Sequence, residues 1–363
     1  MSVSAPSEAA PQSVAPASIG LVWARTALAS GGWLLGCAAV AVIGIVALGL
    51  GRYAIEPLDV IRILLSRIGF IETDVSDTAR RVVELVRAPR ILSAALAGAI
   101  LGMTGAALQG IFRNPLVGPQ IIGVTSGASF GGALAILLVG TTAATVGFAF
   151  VFGLVAVFLV YTIARVGGRA PVLMLVLAGV VVSAAFTAFV SLIKYVADPN
   201  DTLPAIVYWL MGSFATATYD KLFILTLAVL GSVLVLHALR FRINIMSLGE
   251  EEATALGIRV EPTRWAILAA VALGVAGVVS VAGVVGWVGL VMPHLARMIV
   301  GPDHRKLLPA AALAGAGYLI IVDTLARTMS AAEIPIGILT ALVGAPVFAV
   351  LLRRLHLKGW GRG

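Results

Sequence analysis

"ALQGIFRNPLVGPQIIGVTSG", Ala107 to Gly127, decides how the rest of the chain is read. Gln109, Arg113, Asn114, Pro115, Pro119 and Gln120 crowd between two long apolar runs. Asn114 precedes a proline, which pushes its backbone out of the helical region and ends the run before it. Pro119 marks the restart. The flanking runs are each long enough to cross a bilayer, so the stretch predicts a tight hairpin between two spans. Gln109 lies about one helical turn before the bend, where an amide must face protein or a water-filled cavity and not lipid.

Composition extends this reading to the whole chain. Of 363 residues, 60% are hydrophobic and only 12% charged, with mean hydropathy +1.06. Soluble domains carry roughly 25% charge. Halving the charge leaves too little polar surface to cover a water-soluble globule, so the class is an all-α polytopic membrane protein. The 40 glycines fit helices that approach closely through small side chains. The net charge of +8 does not mark a nucleic-acid surface, because the basic residues stand singly at the ends of apolar runs. Basic loops explain it. Cys37 is the single cysteine, so no intrachain disulfide can form.

A span needs about 20 mostly apolar residues. Candidates fall roughly at 33–50, 90–111, 119–139, 143–165, 172–195, 221–240, 264–284, 286–300, 307–326 and 336–353, about ten in all. Residues 1–32, rich in Ala, Ser and Pro, read as a disordered cytoplasmic tail. Residues 33–354 form the transmembrane domain, and 355–363 a cytoplasmic C-terminal tail. With both termini inside, the inner loops hold Arg113, Arg165, Arg169, Arg240, Arg242, Arg259, Arg264, Arg297, Arg305 and Lys306. The short outer loops hold only Lys194, Lys221 and Arg327, as the positive-inside rule requires. The longer first outer loop, 51–89, mixes several arginines with Glu56, Asp59, Glu72, Asp74, Asp77 and Glu84. Leu58–Arg67 and Leu203–Phe214 are too short to span and read as interfacial or re-entrant helices.

Chemistry is missing. The chain has no G-x-x-x-x-G-K-[ST] loop to cradle phosphates. It shows no metal-ligand spacing, and His237, His294, His304 and His356 are scattered. Nucleophile motifs are absent too, so no catalytic residue and no metal site is assigned. Asp323 is the clear intramembrane carboxylate. It stands one turn from Arg327, is expected to pair with it, and is read as structural. A large polytopic chain without its own chemistry suggests a conduit driven by another protein.

Several long blocks are similar, in the right order, to one family. "RAPRILSAALAGAILGMTGAALQGIFRNPLVGPQIIGVTSGA" (Arg87–Ala128) resembles the permease subunits of type II ABC importers for iron-siderophores, haem and vitamin B12. The likeness continues through "VYWLMGSF" (Val207–Phe214), "SLGEEEATALGI" (Ser247–Ile258) and "VGWVGLVMPHLARMIVGPDHRKLLPAAALAGA" (Val285–Ala316). It ends with "VDTLART" (Val322–Thr328) and "EIPIGILTALVGAPVFAVLL" (Glu333–Leu352). The resemblance implies ten helices as a five-plus-five inverted pseudo-repeat. It also implies a homodimer, two cytoplasmic ABC ATPase subunits that hold the ATP and Mg, and an extracytoplasmic substrate-binding protein. The setting it implies is the bacterial inner membrane.

The same resemblance assigns roles. Residues 247–258 would be the segment coupled to the ATPase, carried by Leu248, Gly249, Glu250, Ala253, Leu256 and Gly257. Arg87, Arg90 and Arg327 would dock carboxylates of the binding protein, a task suited to the planar guanidinium fork. Gln109, Asn114, Pro115, Pro293 and His294 are candidates for the translocation path or gate, with Pro293 kinking its helix. The chain itself is then a transport subunit, not an enzyme, and needs no cofactor of its own. The expected cargo is an iron chelate, siderophore or haem. A corrinoid permease is the alternative, and an ion-gradient-driven secondary transporter is the remoter one.

Overall fold

The computed structural model describes residues 19–67, 69, 75–165, 170–330 and 332–359. Residues up to Ala39 form one compact unit and Val40–Gly363 a second, and the packing given below lies within the second. All the regular structure among the described residues is helical. In chain order they are α1 (Ile19–Gly49), α2 (Pro57–Arg67), α3 (Asp77–Arg81), a π-helical turn (Val82–Arg87), α4 (Ala88–Ile111), a 3₁₀ turn (Pro119–Ile122) and α5 (Val124–Leu138). Then come α6 (Thr142–Ala164), α7 (Val172–Val196), α8 (Thr202–Leu210), α9 (Tyr219–Met246) and α10 (Glu250–Ala255). The chain closes with α11 (Val260–Ala282), α12 (Val288–Val300), α13 (His304–Thr328) and α14 (Ile336–Gly359).

Each expected span coincides with a helix. Seven are long and apolar enough to cross a membrane, while α5, α12 and α14 have shorter apolar stretches. Helix starts follow the capping residues available. Thr141 accepts from the Ala144 amide ahead of α6, and Asp303 from the Arg305 amide ahead of α13. Such caps satisfy amides that the first turn leaves without partners.

Two expectations need correction. Part of the assumed N-terminal tail is helical, since α1 begins at Ile19, and residues 1–18 lie outside the described residues. α14 continues into the C-terminal tail as far as Gly359. The last third of the first outer loop is also helix, because α3 and the π turn carry α4 back to Asp77 without a break. Asp77, Arg80, Arg81 and Glu84 hide that extension from any count of apolar residues. The two short segments are helical where expected, as α2 and α8. Glu72, Asp74 and Arg169 lie outside the described residues.

Glycine spacing explains the tightest packing. A Cβ on Gly98 of α4 would sit 2.1 Å from the Gly315 carbonyl oxygen of α13, and one on Gly315 would sit 2.0 Å from that of Gly98. The two backbones therefore touch with no side chain between them, which is what small residues permit in helices surrounded by lipid. Gly127 and Gly131 bring α5 onto Phe152 and Phe148 of α6 in the same way. α4 and α11 are interior elements, each with 78% of its apolar window buried, whereas α7 has 28%. Leu173, Val180, Val181 and Leu192 of α7 are exposed, so its outer face is built for an apolar surrounding.

Candidate functional site

Three places carry the residues singled out above. The first is a break between helices. α11 ends at Ala282, and α12 starts only at Val288, after Trp287 with a φ of 67°. Such a φ is unusual for a bulky residue and persists only where the surroundings impose it. Here the Ser213 amide donates to the Ala282 carbonyl at 2.8 Å, and Ile336 and Gly337 at the start of α14 donate to Gly212 and Met211 at 3.0 Å. Beside the break lies a cavity of about 230 Å³, lined by Leu101, Gly118, Pro119, Gln120, Thr125, Trp287 and Leu290 among others. Its walls thus come from the middle of α4, the opening hairpin and the start of α12.

None of the path candidates Gln109, Asn114, Pro115, Pro293 and His294 lines this cavity. The Gln109 amide donates to the Leu290 carbonyl at 3.2 Å, and its oxygen accepts from Arg297 at 3.0 Å, so it faces protein and ties α4 to α12. Asn114 closes the hairpin as an Asx turn, its side-chain oxygen accepting from the Leu116 amide at 2.9 Å, with Pro115 inside that turn. Pro293 and His294 are buried within α12. Lacking an amide hydrogen, Pro293 removes the helical bond to the Gly289 carbonyl. That oxygen lies against Gly105 of α4, where a Cβ would be only 1.8 Å away.

The second place is the segment expected to couple. Ser247–Ile258 carries the short helix α10, entered through Gly249 and left through Gly257, whose φ is 79°. Leu248 and Leu256 are 60% and 61% exposed at its two ends, while Ala253 is fully buried beneath it. Two apolar side chains held in the open flank three glutamates, Glu250, Glu251 and Glu252, in the first turn. Acids there are favoured by the amide dipoles. Beneath α10 lies Arg264 of α11, 1% exposed, which donates to Glu250 of α10, to Glu261 at 3.1 Å and to the Ala170 carbonyl at 2.8 Å. The sequence lists Arg264 only as one inner-loop cation. At the same end, the Arg305 guanidinium beside Asp303 holds its carboxyl below the ordinary carboxylate range.

The third place gathers Arg87, Arg90 and Arg327, expected to face an external partner. All three are buried. Arg87 donates to the carbonyls of Leu48 at 2.7 Å, Gly49 at 3.0 Å and Tyr53 at 2.5 Å. Arg327 donates to those of Ala47 and Leu50. The oxygens of Ala47, Leu48, Gly49 and Leu50 lie at the end of α1, and a helix leaves its last carbonyls without internal partners and with partial negative charge. Arg90 grips Asp323 with contacts of 2.9–3.0 Å and Glu333 with contacts of 3.0–3.1 Å. Asp323 is therefore held chiefly by Arg90, and the Arg327 partner expected from helical spacing stands off at 4.0 Å. The guanidinium groups are engaged by the chain itself.

A scan against protein families matches residues 39–354 to the FecCD transport family. The molybdate import permease MolB of Haemophilus influenzae is 44% identical over 322 residues, covering 88% of this chain and 94% of that protein. The cobalamin import permease BtuC of Halobacterium salinarum is 42% identical over 290 residues, covering 78% and 76%. Among solved structures, a proposed metal-chelate type ABC transporter in an inward-facing conformation superposes with a TM-score of 0.80. It is 41% identical and covers 88% of this chain and 98% of its own.

Proposed function

The chain belongs to the FecCD transport family, and from that premise we propose that it is the permease subunit of an ATP-driven importer. Two copies would form the path, two cytoplasmic ATPase subunits would seat on α10, and a binding protein would deliver cargo from outside. Both termini would lie in the cytoplasm of a bacterial inner membrane. The observation that carries this reading is α10 itself. A helix of six residues whose flanking Leu248 and Leu256 stay open to solvent leaves those two side chains exposed, and apolar knobs around an acidic turn suit a cleft on another protein. Arg87, Arg90 and Arg327 are assigned a different task from the one expected. They shape the outer surface by fixing the end of α1 and Glu333, and do not themselves contact the binding protein.

For the cargo, the identity to a molybdate permease over nearly that protein's whole length favours a small metal oxyanion over the iron chelate expected from the sequence.

Reconstitution tests both levels. Proteoliposomes containing the permease and its ATPase, with binding protein and ATP, should accumulate cargo, and omission of the ATPase should abolish uptake. Uptake persisting on a proton or sodium gradient alone would overturn the ATP-driven reading. Competition among molybdate, a ferric siderophore, haem and cobalamin then decides the cargo, with molybdate expected to win.

A further inference from the structure

α10 does not rest on its own neighbours in sequence alone. Arg264 contributes one terminal nitrogen, Nη2, to Glu250 at the start of α10, and the other, Nη1, to the Ala170 carbonyl just ahead of α7. Glu261 doubles the link, accepting from the Ala170 amide at 3.0 Å through Oε1 and from the Trp265 indole at 3.1 Å through Oε2. Trp265 in turn meets Tyr161 of α6 edge-on, with ring centroids 4.1 Å apart. α7 leads onward, because a Cβ on its Gly179 would lie 1.9 Å from the Ile121 carbonyl of the 3₁₀ turn. That turn forms a wall of the cavity. A continuous set of short polar and backbone contacts therefore runs from α10 to the cavity.

We propose that Arg264 is the positioning residue through which displacement of α10 moves α7 and the cavity wall. The inference rests on the assignment of α10 as the ATPase contact. A planar guanidinium suits the task, since its two terminal nitrogens hold two separate elements at fixed spacing. Burial strengthens those contacts by keeping water from competing. Glu250 is about half exposed, so its end of the link can follow a moving partner while Arg264 stays in place.

The test uses the complete reconstituted transporter. Arg264→Gln should retain ATP hydrolysis within about twofold, while uptake per ATP hydrolysed falls at least about tenfold. Glu250→Gln should lower the same ratio, and the double variant should be no worse than Arg264→Gln, because one link is broken only once. Arg264→Lys, which keeps the charge but loses the fork, should fall between. A spin-label pair at exposed positions 255 and 173, neither of them assigned to the ATPase contact, supplies a readout that a purely structural role would not move. Its distance should change on ATP binding in the parent, and that change should vanish in Arg264→Gln, or in Arg264→Lys if Gln does not fold. An unchanged ratio, an intact distance change, or multiplied defects in the double variant would overturn the proposal. If the parent transporter itself shows no ATP-dependent uptake, the assigned function fails. If the parent couples and the variants couple equally well, only the role of Arg264 falls.

Discussion

Two clusters of buried arginine stand at opposite ends of the helices, and they differ in what their partners can do. At the end of α1, Arg87 and Arg327 cap backbone carbonyls, and Arg90 holds the fully buried Asp323 together with Glu333, which is 31% exposed. Apart from Glu333, none of those partners can reach water without leaving a charge or a carbonyl unsatisfied inside the protein. Under α10, Arg264 is equally buried, but Glu250 and Glu261 are 48% and 30% exposed. Those carboxylates can exchange protein for solvent at modest cost. The first cluster is a lock and the second a joint, though both are made of the same residue types. Burial of the partner, more than burial of the arginine, separates a fixed contact from a movable one.

The sharpest way to break that distinction is to remove the deepest partner. Asp323→Ala leaves Arg90 with only the partly exposed Glu333, and breaking a buried ion pair from one side costs about 3–5 kcal/mol. Thermal unfolding in detergent should show a large fall in the melting temperature, or loss of the folded protein. A small change would mean that the outer cluster is no lock. Arg327→Lys keeps a charge but cannot reach both Ala47 and Leu50, and a carbonyl left without a partner costs about 1–3 kcal/mol. The same melt should register a smaller fall, and tighter binding-protein association in this variant would contradict the shaping role.

At the other end the effects on stability shrink. Asp303→Ala removes the cap of α13, worth about 1 kcal/mol. Because the Asp303 carboxyl titrates below its ordinary range, its contribution is present at neutral pH and fades as acid protonates it in the folded protein. The melting difference between parent and variant should therefore narrow on acidification, and a difference independent of pH would remove the ion pair from the account. Leu256→Ser, at an exposed site, should shift stability by less than about 0.5 kcal/mol while weakening ATPase association roughly tenfold in a pull-down titration. Unchanged association would take Leu256 out of the contact.

Much of this architecture is legible in the sequence because lipid demands long apolar runs and punishes breaks in them. The hairpin at Asn114–Pro115 and the glycine spacing at Gly98–Gly102 have local signatures, and the structure uses both. The pairing of Arg90 with Asp323 and Glu333 has none, since the partners lie more than two hundred positions apart. Helical spacing pointed Asp323 toward Arg327, and the wrap of α4 against α13 brought Arg90 closer. Arg264 is invisible for the same reason. A cation near the end of an apolar run looks like a loop anchor until the helix packing shows what covers it. Trp287 gives no warning either, because nothing in its neighbours marks a left-handed backbone at a non-glycine residue.

The bare contact between Gly98 and Gly315 has one more result. Where main chain meets main chain, there is no rotamer to turn and no slack to take up. We expect α4 and α13 to travel as a single body when the protein moves. Any opening and closing has to be executed by neighbours that still have side chains to slide over one another.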